Sequence, residues 1–324
     1  MQFAQTFHLK NKKGLKTMSE TKNEHYIPQH FIGNFANDKH EIESFDIELY
    51  KKYNVNRAYS YPPTSVLYKE DNYECFLEKD GGKEYLIEHN KIEKFFGRLE
   101  TKDGPFVRNI INKVLKVNSE KSLVLTSDEK KKLSQFLLQM VLRHPISKEN
   151  APYAFLELYP TNGVVDENEL LQDGDFLLLV DYVYKSFLLE INCDTNASVI
   201  NTTDPTFCFF RNQCDTYFWL PEAPFIYITK KSMFFPLSSD VIVLVVERKS
   251  LPICMRNKVF NVENPDFIYF INKLSLLNNT KYMYSKHFNK TDIEVLKKAI
   301  DETKEEKIDI VIPSFRKNKK GNDR

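Results

Sequence analysis

A chain whose helix-period and strand-period segments come in separate blocks has few ways to fold, and this chain changes character at Asn192. From Glu84 to Ile191 apolar residues recur at three- and four-residue intervals, the spacing of one helix face. After Asn192 come short runs rich in Val, Ile, Phe and Tyr: Ser198 to Thr202, Thr206 to Phe210, Tyr217 to Leu220, Phe225 to Ile228 and Val241 to Val246. Turns of Asp, Asn, Pro and Ser separate them, as in an antiparallel sheet. Blocks of this kind predict an α+β fold rather than an alternating α/β one. The expected architecture is an N-terminal mixed region, a central helical layer, and a C-terminal antiparallel sheet with flanking helices.

Within the helical block, Ile87, Ile92, Phe95, Phe96 and Leu99 share one periodic stretch, and Val107, Ile110, Ile111, Val114 and Leu115 another. Asp103-Gly104-Pro105 lies between them and predicts a break, giving two packed helices. Thr126-Ser127-Asp128-Glu129 is a capping-box signature, and Leu133, Phe136, Leu137, Met140 and Val141 follow at helical spacing until Pro145. Glu167 to Ile191 is apolar almost all round over its middle, which predicts the buried centre of the helical half. Upstream, Pro28 suits a first helical position before Gln29-His30-Phe31-Ile32, and Glu41 to Tyr68 alternates like strands with irregular connections. Downstream, Asn264-Pro265 opens one helix and Thr291-Asp292-Ile293-Glu294 caps the last.

Residues 1–22 read as a flexible segment, with Met18 as a second candidate start, and residues 313–324 as a basic disordered tail. Between them, residues 23–312 contain no Pro/Gly/Ser-rich linker and are expected to form a single α+β domain. Lys+Arg 46 against Asp+Glu 45 gives a net charge of +1, so any attraction to polyanions must come from a local patch. Nine glycines in 324 residues argue against glycine-rich phosphate loops, which need positive φ. The five cysteines, Cys75, Cys193, Cys208, Cys214 and Cys254, are scattered and odd in number, as expected of reduced thiols in a cytoplasmic protein. No stretch approaches the roughly 20 apolar residues of a membrane span. The nearest candidate, Phe176 to Val180, stops at Asp181, so no membrane is expected among the partners.

His25-Tyr26-Ile27-Pro28-Gln29, followed by Phe31-Ile32-Gly33-Asn34-Phe35, resembles the opening of the uncharacterised family called domain of unknown function 4238. Leu142-Arg143-His144-Pro145 is similar to that family's Arg-Thr-Pro helix end, with His144 in place of Thr. Thr203-Asp204-Pro205 is similar to its Ser-Asp-Asn-Pro turn, one residue short. Phe235-Pro236-Leu237-Ser238-Ser239 resembles a Pro-Leu-Ser-Pro strand entry, and Asn272 through Tyr284-Ser285 a closing Asn-helix-Tyr-Ser segment. The likeness runs from about Asn23 to His287 and implies no established activity.

Polar residues at the ends of apolar elements are where folds gather sites. By that argument His25, Arg143 and Asp204 are the candidate catalytic residues: a base, a phosphate or carboxylate clamp, and an orienting carboxylate. Tyr26, Gln29 and His144 are the candidate binding residues around them. They predict that His25 lies near Arg143 or Asp204 in space. The same residues have structural uses of equal weight: His25 can bond a helix start, Asp204 can make an Asx-turn, and Arg143 can satisfy helix carbonyls.

The apolar run ending in Glu247-Arg248-Lys249 resembles the Glu-x-Lys strand of PD-(D/E)xK nucleases, with Asp204, Asp215 or Asp240 as the second carboxylate for a divalent metal. An exposed and unpaired strand end is the expectation here. Cys208 and Cys214 lack a second close pair, and His25 with His30 lacks the intervening Glu of a zinc motif, so buried thiols are the better reading. Trp219 with Tyr217 and Phe218 is either a base-stacking platform or core. Two function classes remain: a metal-dependent phosphoester hydrolase or nuclease acting on nucleic acid or a phosphorylated small molecule, and a non-catalytic binding or regulatory module whose motif residues are structural.

Overall fold

A computed structural model describes residues 23–118, 123, 125–161, 165–190, 204–276 and 280–303. The N-terminal mixed region holds β1 (Asn23–His25), α1 (Gln29–Ile32), β2 (Ile42–Asp46), α2 (Ile47–Tyr53), β3 (Tyr59–Tyr61), β4 (Tyr68–Glu70) and the hairpin of β5 (Phe76–Lys79) and β6 (Gly82–Tyr85). The helical layer consists of α3 (Lys91–Lys116), α4 (Ser127–Arg143), α5 (Pro145–Glu149), α6 (Ala151–Leu158), α7 (Glu167–Leu170) and α8 (Gly174–Glu190). The C-terminal part contains β7 (Pro205–Asn212), β8 (Leu220–Pro221), β9 (Ile226–Thr229), β10 (Ser232–Ser238), β11 (Val241–Glu247), β12 (Val259–Val262), α9 (Pro265–Leu276), β13 (Tyr282–Ser285) and α10 (Lys290–Thr303). The fold is α+β, in the block order that the periodicity predicts. The strand expected at Ser198 to Thr202, the terminal segments and Cys193 lie outside the described residues.

The principal sheet has the order β12-β7-β11-β10-β9 and is antiparallel except where β12 runs parallel to β7. Its strands read as continuous apolar runs because both faces are covered. Phe207, Phe209, Phe235, Val243 and Val245 point into the main core, where they meet Phe31, Phe96 and Phe136 of the N-terminal region and helical layer. On the opposite face Phe234 and Ile242 pack on Ile268 and Ile271 of α9. Phe31 sits at the centre, fully buried, with its ring 5.7 Å from each of Phe35, Phe136 and Phe235. Burying such a side chain stabilises the fold by about 1.5–3 kcal/mol. Pro236 is accommodated in β10 at a bulge, beyond the point where β9 stops pairing at Phe234.

A second sheet, β3-β2-β13-β8, pairs a strand from near the start of the chain with one from near its end. It takes up Leu220, so the Tyr217 to Leu220 run does not join the principal sheet. Trp219 is 2% exposed in a core with Phe45 and Phe288, which rules out the base-stacking platform.

Several helices depart from the sequence reading. α3 is one continuous helix through Gly104 and Pro105. A Cβ at Gly104 would stand 2.9 Å from His30 Cδ2, so glycine is needed there for the close approach of α1. Pro105 lies on the exposed side, where the carbonyl it cannot pair reaches water. Glu84 belongs to β6, and the helix starts only at Lys91. At its other end, Arg211 of β7 donates from Nη1 to the carbonyls of Val114, Leu115 and Val117 at 3.3, 2.8 and 2.9 Å, while Asn261 Oδ1 holds the guanidinium at 2.6 and 2.9 Å. These are carbonyls that a helix leaves unpaired, and a cation also suits that end of the dipole.

α4 begins with the predicted capping box, Glu129 N–H donating to Thr126 Oγ1 at 3.1 Å and Thr126 N–H to Glu129 Oε2 at 3.0 Å. α8 is not a buried centre: Leu179 and Val183 are 52% and 42% exposed, and its inner side carries Lys185, which donates to Asp181 and to the Glu74 carbonyl. Residues 41–68 include a helix, α2, capped by Asp46 and ended at Asn54 with φ of 55°. Pro28 is the cap of α1 rather than its first residue, its carbonyl accepting from Phe31 and Ile32. The reciprocal cap of α10 is Asn289 with Asp292, two residues before Thr291.

Candidate functional site

The motif residues meet where β1, the segment before β5, α3 and the end of α4 come together. Arg143, the last residue of α4, is 3% exposed. Its Nη2 donates to the His25 carbonyl at 2.8 Å, its Nε to Tyr73 Oη at 3.1 Å, and its Nη1 pairs with Glu100 Oε1 of α3 at 2.8 Å. The guanidinium also lies 4.1 Å from the centre of the Phe96 ring, the stacked geometry Arg favours. Tyr73 Oη donates onward to the same His25 carbonyl at 3.2 Å. Asn72 Nδ2 reaches the Arg143 carbonyl at 3.4 Å, helping to close the helix end. His25 and Arg143 therefore converge as expected, through the backbone of His25 rather than its ring.

The His25 ring is half-buried. Its Nε2 meets the Thr64 carbonyl at 3.1 Å, which requires a proton on that nitrogen. Nδ1 is left to accept from Gln29 Nε2 at 3.4 Å, on the exposed side. Burial holds the imidazole below its ordinary pKa of 6.5, against the opposing pull of the Thr64 carbonyl and Glu100. His144 stands between Tyr26 and Phe225, its ring centre 5.0 and 5.5 Å from theirs. Its Nδ1 accepts from the Ile146 N–H at 3.2 Å and so caps α5, and burial pushes its pKa down to about 3. The Tyr26 hydroxyl reaches Glu222 Oε1 at 3.4 Å.

Asp204 stands at the start of β7, where its carboxylate is 3.8 Å from Arg248 and its carbonyl accepts from the Arg248 N–H at 3.0 Å. It is 61% exposed and does not orient the His25 ring, whose Nε2 is turned to Thr64 instead. The Glu-x-Lys strand end is also resolved. Glu247 is not unpaired: Lys231 Nζ holds both its oxygens, at 2.9 and 3.1 Å, and this keeps its carboxyl below the usual range. Lys249 is exposed. Asp240 sits at the opposite end of β11 from Glu247, so the two cannot share an ion. Among the described residues no group of three His, Cys, Asp or Glu side chains is placed to hold a metal. Cys75, Cys208, Cys214 and Cys254 are free thiols.

The sequence reading missed the carboxylates that face Arg143. Glu93, Glu100 and Asp103 lie on the inner side of α3 with Phe96, at intervals of three, four and three residues. Burial raises Glu93, with Arg143 opposing, and pushes Asp103 up to about 6. Glu24, next to His25, is 1% exposed; its Oε2 accepts from the Tyr73 N–H at 2.6 Å and its Oε1 is sealed without a partner. Burial first, then the nearby Glu74, Glu93 and Asp71, push it up to about 8, against the Tyr73 hydrogen bond. The signal that could have revealed them is helical: acids at the positions of α3 that share a face with Phe96.

The arrangement is a buried polar brace, an arginine fork tying four chain segments of an α+β fold. The chain belongs to the family described as Protein of unknown function (DUF4238), which it matches over residues 23–288. Neither the curated proteins nor the solved structures yield a match. No helix among the described residues is long and apolar enough to cross a membrane.

Proposed function

We propose that the protein is a non-catalytic binding or regulatory module of the cytoplasm in which the family's motif residues hold the fold together. The observation that carries this reading is the full commitment of Arg143. Each of its three nitrogens is bonded within the fold, its face is stacked on Phe96, and with the side chain only 2% exposed the two N–H groups left over are out of reach of a phosphate. His25 spends one nitrogen on a backbone carbonyl, and Asp204 bonds to Arg248. The free thiols suit a reducing compartment.

The competing reading is a metal-dependent phosphoester hydrolase or nuclease that uses the outward Nδ1 of His25. A thermal-shift screen against divalent metals, nucleotides and short nucleic acids, run beside a phosphodiester cleavage assay, separates them. Arg143→Met should cost about 3 kcal/mol, because it leaves Glu100 without its partner and removes the bonds to the Tyr73 hydroxyl and the His25 carbonyl. The wild-type protein should cleave nothing with any metal. Metal-dependent cleavage lost in His25→Ala at an unchanged urea midpoint would establish the enzyme instead.

A further inference from the structure

Helix α3 is divided by charge. Its carboxylates Glu93, Glu100 and Asp103 face inward, toward the brace. Lys91, Lys94, Arg98, Lys102, Arg108 and Lys116 are all exposed. At 100° per residue these six cations fall within an arc of about 120°, and at 1.5 Å per residue they span about 37 Å. Among the described residues none of them is in an ion pair, whereas Lys113, off the centre of this face, is paired with Glu129. In a chain with a net charge of +1, this is a concentrated local field. Folding supplies no reason for it: Lys91 and Lys94 sit in the first turn, where the helix dipole disfavours cations.

The spaces between the cations are filled by Gly97, Thr101, Pro105, Asn109 and Asn112, all exposed. These are small or polar, and the one large apolar side chain exposed beside them, Leu115, is not the row of anchors that an interfacial helix sinks into lipid. At the C-terminal end of the stripe a groove of about 370 Å³ opens between Asn109, Asn112, Lys113, Lys116, Val117 and Leu123. We propose that the outer face of α3 is a nucleic-acid-binding surface that follows the phosphate backbone of a duplex, with the two asparagine amides beside the sugars. A duplex presents one phosphate charge per about 1.7 Å of axis, so the length of the stripe offers each cation a partner. Contacts of this type position a duplex without reading its sequence. The surface is separate from the brace, and binding there stands whether or not the brace is catalytic.

Fluorescence anisotropy of the full chain with labelled 20-base-pair DNA and RNA duplexes, titrated with salt, tests it. Six phosphate contacts predict that log K falls against log salt with a slope of about −5. The triple variant Lys94→Glu, Arg98→Glu, Lys102→Glu removes three contacts, so its slope should shrink to about −3 and its affinity at about 50 mM salt should fall at least tenfold. The charge-matched variant Lys51→Glu, Lys52→Glu, Lys290→Glu changes exposed lysines elsewhere and should bind much as the wild type does. Urea midpoints of both variants, measured alongside, show whether each is folded. Three results would overturn the proposal: no salt-dependent duplex binding, equal weakening by the two folded variants, or binding to phosphatidylserine vesicles in place of duplexes.

Discussion

Replacing Glu24 by Gln should stabilise the protein at neutral and alkaline pH and change little in acid. The buried carboxyl is raised from an ordinary 4.5 to about 8. Between those values the native state keeps a proton that the unfolded chain has released, so unfolding loses a proton and stability falls as pH rises. At about 1.4 kcal/mol per pH unit, the interval sets a ceiling of ~5 kcal/mol on the loss by pH 8. Relaxation and water entry reduce that figure, and a gain of ~2–3 kcal/mol for Glu24→Gln at pH 7.5 is the expected outcome. The amide keeps an oxygen for the Tyr73 N–H and removes repulsion from Glu74 and Glu93. Urea unfolding of both proteins at pH 5, 6.5, 7.5 and 8.5 gives the comparison. His25, His30 and His144 are all held below 6.5, so they add stability as pH rises through 6.5 and have contributed all of it by about pH 7.5. The histidines and the raised Glu93 are common to both proteins, so the pH dependence of the difference between them from pH 6.5 to 8 belongs to Glu24. A variant no more stable than the wild type at pH 7.5, or a difference between the two that stays flat from pH 6.5 to 8, would refute the reasoning.

Gly104→Ala should destabilise by about 1–2 kcal/mol, because overpacking against His30 outweighs the ~1 kcal/mol that alanine gains in a helix. In a His30→Ala background the same change should become neutral or favourable; a stabilised single variant would show that the close approach does not matter. The His144 ring should stay neutral from pH 8 down to about 4.5, read from its imidazole NMR shifts, and a midpoint near 6.5 would contradict its burial. We also expect residues 23–312 to behave as one unit, since Phe31, Phe136 and Phe235 share a core. Proteolysis confined to residues 191–203 should leave fragments that co-elute on gel filtration. Two separately folded pieces would reject this.

What was legible in the sequence is what is decided locally. The capping box of α4 is a contact between residues three apart, and the unbroken apolar runs of β7 and β11 are the strands themselves, so both could be read directly. α3 could not: Gly104 reads as a breaker, and its reason, the close approach of His30, lies 74 positions away in the sequence. α8 misled because an apolar sequence does not reveal which side finds a partner, and the side that did is pinned by Lys185. The meeting of His25 with Arg143 followed from the need of polar groups at element ends for partners. Tyr73 and Glu100 belong to no short motif and only the assembled fold brings them to the guanidinium, as it brings Glu24 to the Tyr73 N–H. Asp204 carries a family-like turn, yet its neighbours are those of the sheet end.

The fork of Arg211 on α3 bears on the order in which the chain can assemble during synthesis. Val114 and Arg211 are 97 residues apart, and Asn261, which holds the guanidinium, follows 50 residues later still. A ribosome-bound chain that has completed α3 and α4 therefore lacks the side chains that close the last turn of α3. That turn becomes native only after β7 and β12 have emerged and paired side by side. Slow amide exchange at its final residues would then mark arrival of the C-terminal third, making the end of an early helix a timer for a late sheet.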